Sequence, residues 1–239
     1  MLIINSMTIQ QQLQNAAAVM AATPAANGSG LMFPNGLKNA VLVQATIRGE
    51  VQLNATSTQF TIPLLQNAAN NSTTPQTASA YALSMQDGFL ITDIAILVSK
   101  RANALDATAA SYAYAPASVF STANAASSIV GMYDNGFLKL TVNQQVITPY
   151  WDLRKHYKAP DQQFAANADY TTSGINYVPS EDGTSDGFYP VVPGWYIDGA
   201  GNVQLTLNLG ANLAAVETYE FVNVLCRGFI LQNSSSFKR

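Results

Sequence analysis

The chain has 239 residues, with 11 Lys and Arg against 14 Asp and Glu, a net charge of −3, one Cys and one His. One domain or two small β-units fit that length, the acidic balance argues against a dedicated nucleic-acid binder or a lining for packaged nucleic acid, and a lone Cys excludes an intrachain disulfide framework. Only 10% of residues are charged, against roughly 25% in ordinary soluble domains. Such a surface is largely neutral and polar, and it suits a protein packed against other copies.

Residues 1–36 read as an N-terminal arm. Met1 to Ile9 lack the basic start of a secretory signal, and Asn5 and Ser6 interrupt the apolar run. From Thr8 to Ala22 there is neither Gly nor Pro, and Ile9, Leu13, Ala17 and Met20 recur at helical spacing. A short amphipathic helix is expected, with an apolar face that needs a partner. Thr23 to Gly30 is rich in breakers and reads as a flexible joint, and Phe33-Pro34-Asn35-Gly36 reads as a turn.

Residues 37–239 read as one β domain. From Val41 to Leu53 apolar and polar residues alternate, which predicts one long strand bent at Gly49. Phe60, Ile62 and Leu64 alternate again, and Asn67 to Thr77 is a polar loop. Asp87-Gly88 opens a strand with Leu90, Ile94, Ile96 and Val98 inward and Phe89, Ile91, Ala95 and Leu97 opposite, apolar on both sides and so central. Ala102 to Ser128 has no clear period, although a short helix fits there.

Asp134-Asn135-Gly136 reads as a tight hairpin turn. The strand Phe137 to Val142 follows, with Leu138, Leu140 and Val142 on its core face. After a polar turn at Asn143 to Gln145 comes Val146-Ile147-Thr148, and then Pro149 to Lys158, where cations and large aromatics sit together. This segment is made for contact, and two readings compete. Trp151 and Tyr157 could stack on nucleic-acid bases or sugar rings, with Arg154, Lys155 and Lys158 neutralising phosphates; otherwise Trp151, Leu153 and Tyr157 pack on the sandwich or on a neighbouring subunit. His156 has no second histidine for a metal site and no recognisable nucleophile motif beside it.

Asp182 to Gly187 lacks the spacing of a calcium loop and reads as a polar turn. Tyr189, Trp195 and Tyr196, with Pro190 and Pro193 between, read as an ordered surface loop or as a platform for sugar rings. Val203 to Leu209 alternates as a strand, Gly210 to Glu217 is a connection in which one helical turn fits, and Tyr219 to Leu231 is a long apolar strand. Arg227 interrupts that strand and needs an acidic or carbonyl partner. Cys226 lies inside it and reads as buried.

The fold class is therefore all-β: an antiparallel β-sandwich of jelly-roll type with long loops and a short N-terminal helical arm. The strand entries Gly88-Phe89-Leu90-Ile91-Thr92 and Asn135-Gly136-Phe137-Leu138, the Asn202 to Leu209 strand and Arg227-Gly228-Phe229-Ile230 give a chain that resembles the jelly-roll structural proteins of icosahedral viruses and bacteriophages. The resemblance covers about Lys38 to Leu231. It implies a non-enzymatic virion component, assembled in a host cytoplasm, that self-associates, a trimer being favoured, and meets other virion proteins. No catalytic, cofactor-binding or metal residue, no specific nucleic acid and no transmembrane segment are expected. The expected intersubunit contacts are Ile9, Leu13, Ala17, Met20, Trp151, Arg154, His156 and Tyr157. The alternative, a carbohydrate-binding module or adhesin, would use Tyr189, Trp195 and Tyr196. An acid-pair glycosidase built on Asp152 with Glu181 or Asp182 ranks third.

Overall fold

A computed structural model describes residues 41–158 and 187–232, apart from 63, 65–76, 80–82, 85–86, 104–105, 107–108, 117–118, 122–123 and 200. The arm with Ile9, Leu13, Ala17 and Met20, most of the Asn67 to Thr77 loop and the stretch from Glu181 to Asp186 lie outside the described residues.

In chain order the elements are β1 (Val41–Gln52), β2 (Gln59–Ile62), β3 (Thr77–Ser79), β4 (Gly88–Lys100), β5 (Ser111–Tyr112), α1 (Ala125–Asn135), β6 (Phe137–Val142), β7 (Gln145–Asp152), a 3-10 turn (Arg154–His156), β8 (Tyr189–Asp198), β9 (Val203–Asn208) and β10 (Glu220–Gln232). Among the described residues the chain is thus all-β with little helix, and every strand pairing is antiparallel. One sheet runs β3-β1-β10-β4-β5 with β8 also on β4; the other runs β2-β9-β6-β7. A single apolar core joins them. Ile47 and Val51 of β1, Ile62 of β2, Ile94 and Ile96 of β4, Leu138 and Leu140 of β6, Leu205 and Leu207 of β9 and Val222 and Val224 of β10 all belong to it. Each such side chain contributes roughly 1.5–3 kcal/mol by leaving water.

The two sheets meet at different lateral edges. At one, β2 lies against β1 and β3; at the other, the Trp151 ring of β7 meets the Trp195 ring of β8 edge-on, centroids 5.2 Å apart.

β1 runs through Gly49 in unbroken register with β10, so Arg48-Gly49-Glu50 lies within one continuous strand. The inward set of β4 differs from the expected one. Phe89 and Ile91 share the core with Ile94, Ile96 and Val98, while Leu90 and Ala95 are buried outside it. The reason is a bulge: Gly228 pairs with Ile91 and Arg227 with Asp93, leaving Thr92 as an extra residue that reverses the phase of the strand.

Three further expectations are corrected. Asp134-Asn135 end the helix α1, and Gly136 donates its N–H to the Met132 carbonyl at 2.8 Å, so this is a helix terminus and no hairpin turn. The hairpin turn is Asn143-Gln144, both at positive φ (50° and 67°), between paired Val142 and Gln145. Tyr189 to Tyr196 is a strand despite its prolines: Tyr189 and Pro190 pair with Ile94 and Asp93 of β4, Trp195 and Tyr196 pair with Ile91 and Leu90, and residue 193 falls in the irregular stretch between the two paired segments. Gly210 to Glu217 holds no helical turn.

The helix α1 covers a gap in the sheet. On its outer side β4 pairs with β8 as far as Ile94 and with β5 from Val98, and the Tyr133 hydroxyl donates to the Ile96 carbonyl between them at 3.0 Å. A buried backbone acceptor is satisfied in this way.

Candidate functional site

The cation and aromatic segment after β6 is built by an irregular edge strand. Leu138 faces Trp151 and Leu140 faces Thr148, whereas Thr141 faces Val146, so β7 carries extra residues at Ile147 and again at Pro149-Tyr150. Past Asp152 the chain turns inward: the Asp152 carboxylate accepts from the Arg154 N–H at 2.9 Å, and the His156 N–H donates to the Leu153 carbonyl at 2.8 Å. Leu153 and His156 are fully buried.

His156 is the centre of the cluster. Its Nε2 accepts from the Trp151 indole N–H at 2.8 Å, and its Nδ1 lies 3.3 Å from the Gly187 carbonyl. An indole nitrogen can only donate, so Nε2 must be the bare nitrogen and Nδ1 must carry the proton. Burial, with the Lys155 and Lys158 charges reinforcing it, lowers the pKa to about 4, although the Gly187 carbonyl and Asp152 pull the other way. The imidazole is therefore neutral. The Tyr189 ring packs edge-on to it, centroids 5.1 Å apart. Lys155 Nζ lies 3.1 Å from the centre of the Trp151 ring and Lys158 Nζ 5.3 Å from that of Tyr189, cation–π contacts that cover the cluster.

This arrangement clasps β7 to β8. It does not poise a base, since both His156 nitrogens are engaged and the ring has no exposed surface. Cys226 is also wholly buried, and burial pushes its thiol up to about 12. Among the described residues no three His, Cys, Asp or Glu side chains converge as metal ligands would.

The expected contact residues are brought together only in part. Trp151 and Tyr157 are half-buried against the core, Tyr157 edge-on to Tyr133 at 5.3 Å. His156 offers no surface at all, and Arg154 projects into solvent 3.6 Å from Asp134. Of the three residues expected on a sugar platform, Trp195 is 6% exposed and faces Trp151, while the Tyr196 ring lies over Gly88, so closely that a Cβ there would come within 2.3 Å of its hydroxyl. Arg227 finds a ring in place of an acid: its guanidinium stands 3.9 Å over Phe188.

Two features escaped the sequence. At the head of β10, Glu220 is fully buried; one carboxylate oxygen accepts from the Glu217 N–H at 2.9 Å and the other has no hydrogen-bond partner among the described residues. Burial raises its pKa to about 7, with the Glu217 carboxylate adding to the rise and the Glu217 N–H and Lys100 opposing it. Lys100 pairs with Glu217 at 3.2 Å. A lone Glu opening an apolar strand was the available signal. The second feature is an apolar strip: Val146, Ile147 and Tyr150 of β7 are 43%, 41% and 59% exposed, and Tyr150 stacks on Phe137 at 4.7 Å.

No protein-family model matches this chain, and no curated protein matches it.

Proposed function

We propose that the chain is a non-enzymatic structural subunit of a virus particle, a bacteriophage capsid or capsid-associated protein. It self-assembles through its N-terminal arm and loops, a trimer being the favoured form, in the cytoplasm of a host. The observation that carries this reading is the strand order. With the short β3 and β5 set aside, eight strands remain; numbered along the chain, they run 1-8-3-6 in one sheet and 2-7-4-5 in the other. That order supports the jelly-roll reading, in which two Greek keys close on each other.

Jelly rolls also serve as lectins and as barrels with an internal ligand site, and the residues favour neither. The core between the sheets is packed with apolar side chains. Trp195, the central residue of a sugar platform, is turned onto Trp151. What remains is a rigid body with a sparsely charged surface and an exposed apolar edge, as a shell subunit requires. Mass spectrometry of purified particles tests the proposal. The chain is expected in many copies per particle; absence, or trace amounts, overturns it.

A further inference from the structure

Among the described residues the large apolar side chains left at 40% exposure or more are Val43, Val146, Ile147, Tyr150 and Val192. Three of the five lie on β7, and Phe137 extends them through its stack with Tyr150. β7 is the end strand of its sheet, yet it is a poor template for another strand. Its extra residues break the ladder and Pro149 lacks an N–H, the devices that blunt an edge against strand addition. What β7 presents outward is side chains. No charged residue lies between Lys139 and Asp152 to oppose an apolar partner.

The size of the strip selects the partner. Three half-exposed side chains and a ring edge amount to an apolar patch on the order of 300 Å², well under the ~800 Å² per partner of a stable interface between two folded bodies. It does suit a single amphipathic helix laid across it. The chain contains one such stretch by sequence, Thr8 to Ala22 with Ile9, Leu13, Ala17 and Met20 at helical spacing, too short to hold as a helix alone in water. Forty residues precede Val41, and they join the sandwich at the β1 and β2 edge, laterally opposite the β7 and β8 edge. In copies set side by side around an axis, the edge that emits the arm faces the neighbour's strip, a head-to-tail contact that repeats until a ring closes.

We propose that the Ile9, Leu13, Ala17 and Met20 face of one copy docks on the Val146, Ile147 and Tyr150 strip of the next. This rests on the assembly reading above and names the receptor for the arm. The test uses full-length variants and native mass spectrometry. Ile147→Asp with Tyr150→Ser alters exposed positions only, so folding is retained, as circular dichroism would verify; this variant and Leu13→Asp are each expected to run as monomers. Mixing a Met20→Cys chain with an Ile147→Cys chain is expected to give a mixed disulfide dimer, since the native Cys226 is buried. If Leu13→Asp disassembles while the β7 variant assembles as wild type, the arm docks elsewhere: this inference fails and the assembly reading stands. If the two cysteines bridge only when both are placed in the same chain, the arm covers its own strip and the inference also fails. A wild-type chain that is monomeric at every concentration overturns both.

Discussion

His156 and Glu220 are each buried where charge is disfavoured, and they act on stability with opposite sign. The His156 pKa is about 4 folded against 6.5 unfolded, so its contribution is full above pH 6.5 and is lost as pH falls toward 4, because the unfolded chain takes the proton first. Glu220 sits at about 7 folded against 4.5. The folded chain keeps its proton after the unfolded chain has released it, so its contribution is full below pH 4.5 and lost as pH rises to 7. Within their shared window, pH 4.5 to 6.5, the two slopes are each about 1.4 kcal/mol per pH and cancel. The melting temperature of the wild type should therefore change little there on their account. Glu220→Gln removes one slope, and the variant should gain stability with rising pH relative to wild type; parallel profiles would show that Glu220 is not the buried acid described. Little of this was legible beforehand. The sequence puts a histidine beside lysines, but its burial depends on the Gly187 carbonyl 31 residues away, which no local spacing encodes.

At the scale of elements, alternation located most strands, and β6 has the face predicted for it, with Leu138 and Leu140 buried. The misreadings share a cause: one residue signal serves two geometries. Gly after Asp-Asn ends a helix as readily as it turns a hairpin, and a strand apolar on both faces conceals a phase change such as the one at Thr92. The bulge in turn explains Gly228, where a Cβ would stand 1.8 Å from the Leu90 carbonyl oxygen. Gly228→Ala should cost about 1–3 kcal/mol in forced separation of β10 from β4. Gly131, midway along α1, has nothing within 4 Å of a Cβ, so Gly131→Ala should stabilise by about 0.5–1 kcal/mol through helix propensity alone. Urea unfolding of the pair checks both, and equal effects would contradict the packing described at Gly228.

For the molecule as a whole, the succession of alternating segments pointed to the all-β class, but no run of residues states which strands are neighbours. β1 lies between β3 and β10, and β10 between β1 and β4, so the first long strand pairs with the last described one along their full lengths. Such non-local pairing predicts slow refolding, on the order of milliseconds to seconds, and a chain stopped at residue 219 should show no cooperative melting transition and fall to limited proteolysis. Resistance of that truncated chain would mean that the six-stranded sheet closes without its middle strand. The same placement of β10 matters while the protein is being made. β4 is complete at Lys100 and its partner starts at Glu220, an interval of roughly 6–24 s at ordinary rates of synthesis. For that time two long apolar strands wait on the ribosome without the strand that lies between them, and adjacent nascent chains on one message carry the same sticky pair. Yield in a cell is then governed by chaperone supply and translation speed as much as by the stability of the folded protein.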